Sequence, residues 1–334
     1  MPANQPNSSG WIRTTDLTIM SRALSPLSYG AAACESSLQV VDAQPLLMTV
    51  PNVSEGRDLA TLEAIGRAFA PARFLDLHTD PDHDRAVFTL VARQGEMSEA
   101  LFGGARSAIA RIDITAHSGI HPHVGALDVM PIVYLDEERR GAAIAETLTA
   151  AALIGDELGV PVFLYGQLAT RPEHEERAWI RRGGPKELAR RIEARELIPD
   201  YGPAKPHPTA GAVLAAARPP LVAFNVDLVT DDLAVAKRIA AGLRESGGGL
   251  PGVRALGLYL ADRKRAQVST NVHDHRAVPL RDIVEFVRAR AEVAEAELIG
   301  LAPRAAFDGF PADVSLRGFD PERHILEDVL RAVA

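Results

Sequence analysis

Asn225-Val226-Asp227-Leu228-Val229-Thr230-Asp231-Asp232-Leu233-Ala234, with Ile239 beyond it, echoes Asn52-Val53 followed by Asp58-Leu59-Ala60 and Ile65. In both places a strand-like run carries an Asn-Val pair, and an Asp then stands where a helix would begin. Asp is a strong N-cap, because its carboxylate accepts from the orphan N–H groups of the first turn. In the first copy Leu59, Leu62, Ile65, Ala68 and Phe69 follow at helical spacing.

Working outward, the first copy reads as strand 47–54, helix 59–70, strands 73–79 and 85–92, helix 95–110 and strand 128–135. A loop, Asp80-Pro81-Asp82-His83-Asp84, joins its two middle strands. An Ala-rich helix over 138–158 and a strand over 160–168 extend it. The second copy reads as strand 221–228, helix 231–245, strands 253–261 and 266–272, helix 279–293 and strand 295–301. A last helix covers 321–332. The order β-α-β-β-α-β therefore occurs twice, which points to duplication. Each unit makes a split antiparallel sheet with helices on one face. The bare face needs cover, so the expected fold is α/β (α+β): two similar ferredoxin-like subdomains, sheets face to face and helices outside. The divisions expected are 47–220, 221–303 and a C-terminal tail, 304–334, with its helix. A cleft between such halves is a common ligand site.

Residues 1–46 carry scattered apolar residues among Asn, Ser, Pro and Gly, and read as a disordered or extraneous N-terminal extension ahead of Met48. The 334 residues have 47 % hydrophobic and 24 % charged content, which suits a globular protein with a sizeable core. A net charge of −8 argues against a general nucleic-acid binder. No apolar run approaches the roughly 18–20 residues of a membrane span. One cysteine, Cys34, allows no internal disulfide, which fits a reducing cytoplasm.

The chemistry concentrates in His117-Ser118-Gly119-Ile120-His121-Pro122-His123-Val124-Gly125-Ala126-Leu127-Asp128. Three of the ten histidines fall there within seven residues. Gly and Pro at that density make an ordered loop rather than a helix. Three readings compete: acid–base catalysis, a metal site, or histidines that only bond the backbone. The four-residue spacing of His117 and His121 converges on a metal only on a helix, so no metal is expected. Residues 171–198 carry eight arginines and lysines, read as a solvated helical face or as positive charge for an anionic ligand. Three prolines and two glycines then shape the loop Asp200–Gly211.

These residues resemble the formiminotransferase family. Val50-Pro51-Asn52-Val53-Ser54-Glu55-Gly56-Arg57 resembles its opening motif, and the histidine loop its signature. Val162–Gly166, Asp200-Tyr201-Gly202-Pro203, Ala223–Val226 and Ala266–Asn271 match further, so the resemblance spans about 47–302. It implies two α/β subdomains with facing sheets. It also implies transfer of the formimino group from N-formimino-L-glutamate to N5 of tetrahydrofolate, with release of glutamate, in histidine degradation. The catalytic histidine falls on His121 and the folate loop on Pro203 through Ala212, including Lys205, His207, Thr209 and Gly211. A homodimer, and a separate cyclodeaminase acting on the product, are further implications.

One imidazole can take the proton from N5 and return it to the departing nitrogen, which suits His121. Pro122 restricts the loop around it. A carboxylate would orient the ring, with Asp76 and Asp128 as candidates. Asn52, Ser54 and His117 are candidates to line the cleft, and Arg85 reads as a partner of Asp82 or Asp84. The chain departs from the family pattern at His78, His123 and Ala210. Those changes leave room for a related enzyme using 5-formyltetrahydrofolate or a formylated donor, or for a non-catalytic folate-binding protein.

Overall fold

The computed structural model describes residues 44–333 except Ser118. The extension read over 1–46 and Cys34 thus lie almost wholly outside the described residues. The chain opens with β1 (Leu46–Thr49), β2 (Asn52–Val53), α1 (Leu59–Ala68), β3 (Arg73–Asp80), β4 (Arg85–Arg93) and α2 (Met97–Arg111). Next come β5 (Leu127–Val133), α3 (Arg140–Leu158), β6 (Val162–Leu164), α4 (Arg177–Arg181), α5 (Gly184–Glu193) and β7 (Val213–Arg218). The second half holds β8 (Val222–Leu228), α6 (Leu233–Leu243), β9 (Val253–Leu260), β10 (Arg265–Val272), α7 (Leu280–Arg288) and β11 (Val293–Ile299). It ends in α8 (Pro321–His324) and α9 (Leu326–Val333), so the helix expected over 321–332 is two pieces.

The two halves share one strand order. In the second sheet it is β11-β8-β10-β9, antiparallel throughout. In the first, β5, the β1/β2 pair, β4 and β3 repeat that order. The first strand is split because Pro51 has no N–H to donate, although its carbonyl still accepts from Phe88 N at 3.0 Å. Asp58 caps α1 through the N–H groups of Ala60 and Thr61, and Asp232 caps α6 through that of Ala234. Both middle hairpins turn in four residues, 81–84 and 261–264, and each turn ends in a left-handed residue, Asp84 or Lys264.

The first sheet is extended by β7 and β6, both parallel additions beyond β5. Sequence reading missed β7. Its run, Val213-Leu214-Ala215-Ala216-Ala217-Arg218, is alanine-rich and buried on both faces, so it shows neither strand propensity nor alternation. Val213, Ala215 and Ala217 pack in the core with α3, and Leu214 and Ala216 pack in the core with α4 and α5.

Alternation assigns the sheet faces. On β4, Ala86, Phe88 and Leu90 join the core under α1 and α2, while Arg85, Val87 and Thr89 face the other way. On β8, Phe224 and Val226 join the core under α6 and α7, while Ala223 and Asn225 face inward. The two inner faces line one cleft, and Met48, Val91, Val133, Leu301 and Leu326 form an apolar cluster beside it.

Candidate active site

The cleft is a cavity of about 140 Å³ walled by both sheets. Asn52 and Asn225, the repeated asparagines of the two halves, both line it. Its polar lining explains why these strands carry Asn, Arg, His and Thr where a simple sandwich would have apolar residues.

Arg85 anchors the first wall. Its Nε and Nη2 donate to Asn52 Oδ1 at 3.0 and 2.8 Å, and its Nη1 donates to Asp128 Oδ2 at 2.6 Å. Arg181 of α4 reaches the same oxygen, and Val124 N donates to Asp128 Oδ1 at 2.9 Å. The expected pairing of Arg85 with Asp82 or Asp84 is therefore corrected: the strand turns its side chain inward, away from the hairpin tip. Asp128 is fully buried. Burial alone would raise its pKa, but Arg181, Arg85 and the Val124 N–H together hold it below the ordinary value. Burial lowers Arg181 to about 9 against the pull of Asp128, and lowers Arg218, another cleft residue, to about 10. Arg181 and the fully buried Arg191, stacked 4.2 Å over Trp179, show that the charged segment 171–198 is not simply a solvated face.

The histidine loop is locked to its surroundings. His117 Nε2 donates to Asp84 O at 2.8 Å, and its Nδ1 accepts from Gly119 N at 3.2 Å. Ser54 Oγ donates to Gly125 O at 2.8 Å. A Cβ at Gly119 would stand 2.2 Å from His83 O, and one at Gly125 would stand 1.8 Å from Ala212 O. Only glycine allows backbones to approach this closely. The loop thus interlocks with the β3–β4 hairpin and sets His121 at the cleft wall. His121 Nδ1 lies 2.8 Å from Pro122 O, so that nitrogen carries the proton and Nε2 keeps its lone pair. Enclosure by the cleft, then the charges of Arg85, Arg181, His83 and Arg177, hold His121 well below the ordinary imidazole pKa. The ring is neutral at pH 7 and equipped as a base.

At the β3–β4 hairpin of the same wall, Asp80 Oδ2 lies 2.7 Å from His83 Nδ1. His78 Nε2 lies 3.8 Å from Glu297 Oε1. The donor atoms of His78, Asp80 and Glu297 come within 4.8 Å of one another, which is compatible with a cation. Arg263 lies 4.0 Å from Asp80 and 3.8 Å from Glu297, and Arg317 pairs directly with Glu297. Two guanidinium groups already neutralise these carboxylates, so the cluster reads as an ion-paired network and not as metal ligands.

Two family models match in tandem: the formiminotransferase domain, N-terminal subdomain, over residues 46–218, and the formiminotransferase domain over 223–309. The chain belongs to the formiminotransferase family. It is similar to proteins named glutamate formimidoyltransferase from Streptococcus pyogenes serotype M1 and from Thermoplasma acidophilum. The first is 38 % identical, with 84 % of this chain and 97 % of the relative covered. The second is 35 % identical, with 86 % and 98 % covered. A formimidoyltransferase-cyclodeaminase of Mus musculus is 36 % identical over 78 % of this chain but only 51 % of its own length. This formiminotransferase-family chain is a transferase. Among the described residues, no helix is long and apolar enough to cross a membrane.

Of the residues singled out in this family member, Asn52 and His121 line the cleft. Asp128 lies behind the wall on Arg85 and Arg181. Asp76 sits on β3, where its charge acts on His78. His117 and Ser54 fix the loop. Pro203, Lys205 and His207 line a separate surface depression beside Gly155 and Gly159 at the end of α3. Thr209 O accepts from Ile114 N at 2.9 Å, and Gly211 bridges to Gly125. The structure therefore does not bring the 203–211 loop into the cleft. Sequence reading gave no role to Asp80, His83, Arg177 or Arg218. A histidine among three aspartates at a hairpin tip was the available signal for the first two.

Proposed function

We propose that the protein is a glutamate formimidoyltransferase, moving the formimino group of N-formimino-L-glutamate to N5 of tetrahydrofolate and releasing L-glutamate. The observation that carries this reading is the neutral His121, its Nε2 free of the Pro122 bond, in an inter-sheet cleft that also holds Arg177 and Arg218. Both substrates carry carboxylates, and guanidinium forks suit carboxylates. Tetrahydrofolate N5 attacks the formimino carbon, and His121 takes the proton that N5 loses. The tetrahedral adduct of an amidine is neutral or cationic, so no oxyanion hole is needed. Asp128 acts one step removed, holding Arg85 and through it Asn52 in place. Tetrahydrofolate is a co-substrate, and a cyclodeaminase would consume the product.

The test is to follow L-glutamate and 5-formiminotetrahydrofolate together. The reading expects equal amounts of both, formed only when tetrahydrofolate is present. Glutamate released without tetrahydrofolate would overturn it in favour of hydrolysis.

A further inference from the structure

The β3–β4 hairpin holds a second imidazole that the mechanism above does not use. His83 is 6 % exposed and lines the cleft. Asp80 holds it at two points: Oδ1 accepts from the His83 N–H at 3.0 Å, and Oδ2 lies 2.7 Å from Nδ1. That grip assigns the Nδ1 proton and turns Nε2 the other way, where it is buried and has no hydrogen-bond partner. A buried polar atom without a partner costs about 1–3 kcal/mol, so its retention needs a reason. The His83 ring stands edge-on to that of His121, centroids 5.8 Å apart.

We propose that His83 is a second catalytic residue, held by Asp80 to protonate the departing amine nitrogen while His121 accepts the proton of the attacking one. This rests on the formimidoyl-transfer reading. The proton comes from the acid form of His83, with Nδ1–H toward Asp80 and Nε2–H toward the cleft. The N5–C bond forms as the π pair of the amidinium C=N moves onto its terminal nitrogen, and the N5 proton passes to His121 Nε2. That nitrogen's pair then re-forms the C=N bond as the C–N bond to glutamate breaks; the broken bond's electron pair stays on the glutamate nitrogen, and the His83 Nε2 proton joins that nitrogen. One proton passing from His121 to His83 resets the pair. Two bases of different surroundings divide the two proton transfers, which a single ring would otherwise perform in turn.

The charged groups around His83 support this orientation. Asp82 and Asp84, its chain neighbours, are engaged elsewhere: Asp82 Oδ1 accepts from Asp262 N at 3.0 Å, and Asp84 accepts from Gly56 N and Arg57. Asp80 remains its carboxylate; Arg263 lies 4.0 Å from the same Asp80 oxygen, and Arg85 stands opposite Asp80 in the β3–β4 hairpin. Asp80 itself is held strongly anionic: burial opposes this, but the bonds from His83 and the charge of Arg263 outweigh it.

The test compares full-length parent, His83→Gln and His83→Asn with tetrahydrofolate and N-formimino-L-glutamate. We expect kcat to fall roughly 10²–10³-fold in both variants, with KM for both substrates and Tm unchanged. Parental kcat within about threefold in a folded variant overturns the proposal alone. A parent that does not transfer the formimino group overturns the proposal and the underlying reading together.

Discussion

Asp128 Oδ2 accepts from Arg85 Nη1 at 2.6 Å, although the two residues are 43 positions apart. This pair joins the strand that begins behind the hairpin tip to the strand that leaves the histidine loop. Arg181 completes it from α4. Because Asp128 is fully buried, removing it leaves two guanidinium groups unpaired in the interior. Asp128→Ala is expected to lose about 3–5 kcal/mol in urea unfolding, far more than deletion of a surface ion pair. A loss below about 1 kcal/mol would mean the arginines find other partners.

The acid limb of kcat/KM should lie well below pH 6.5. A base works when unprotonated, and enclosure together with the neighbouring guanidinium groups of Arg85, Arg181 and Arg177 keeps His121 unprotonated down to lower pH than a free imidazole. A pH–rate profile on the parent checks this. An acid limb at or above about 6.5 would contradict the assigned environment.

Arg218 should hold a substrate carboxylate. Losing one charge-assisted contact costs about 1.5–3 kcal/mol, so Arg218→Ala is expected to raise KM roughly 10–100-fold. The drop in kcat should be smaller, because this contact forms in the ground state as well. Steady-state kinetics with each substrate varied in turn would show which carboxylate it serves.

Stability should fall as pH drops through the histidine range. Burial lowers the pKa of His78, His121, His123, His174, His207, His273 and His275, with His273 down to about 4. The unfolded chain takes up protons from about pH 6.5 downward, whereas the folded chain takes them up later. Stability is thus fullest above about pH 6.5 and is lost below it, as far as the folded-state values. Asp128 adds a second loss at lower pH, below the ordinary carboxylate range of about 3.9. Urea midpoints measured at pH 7.5 and 5 should differ in that direction, and equal midpoints would contradict it.

The duplicated order was legible because it depends on local chemistry. Asp58 and Asp232 each cap the helix that follows them, and period-2 alternation separates Phe88 from Val87 and Phe224 from Asn225. The histidine loop was legible because Gly119, Pro122 and Gly125 punctuate it. β7 was not legible, since burial on both faces removes the alternation that marks a strand.

Much of the site was hidden for a different reason. Arg85 meets Asp128, and His83 meets His121, only after two loops interlock at Gly119. No spacing in the sequence announces a contact between residues 38–43 positions apart. The repeated Asn52 and Asn225 were visible as an echo, but their place on the cleft walls follows only from the strand faces. The Pro203–Gly211 loop was legible as a shaped loop, yet its position at the end of α3 was not.

The most direct measurement is a single turnover of full-length protein with tetrahydrofolate and N-formimino-L-glutamate, beside His121→Ala. The account predicts growth of 5-formiminotetrahydrofolate absorbance in the parent and a rate lower by roughly 10²–10⁴-fold in the variant, with fold and tetrahydrofolate binding retained. Equal rates in the two proteins would contradict it, because the proton from N5 would then have another acceptor.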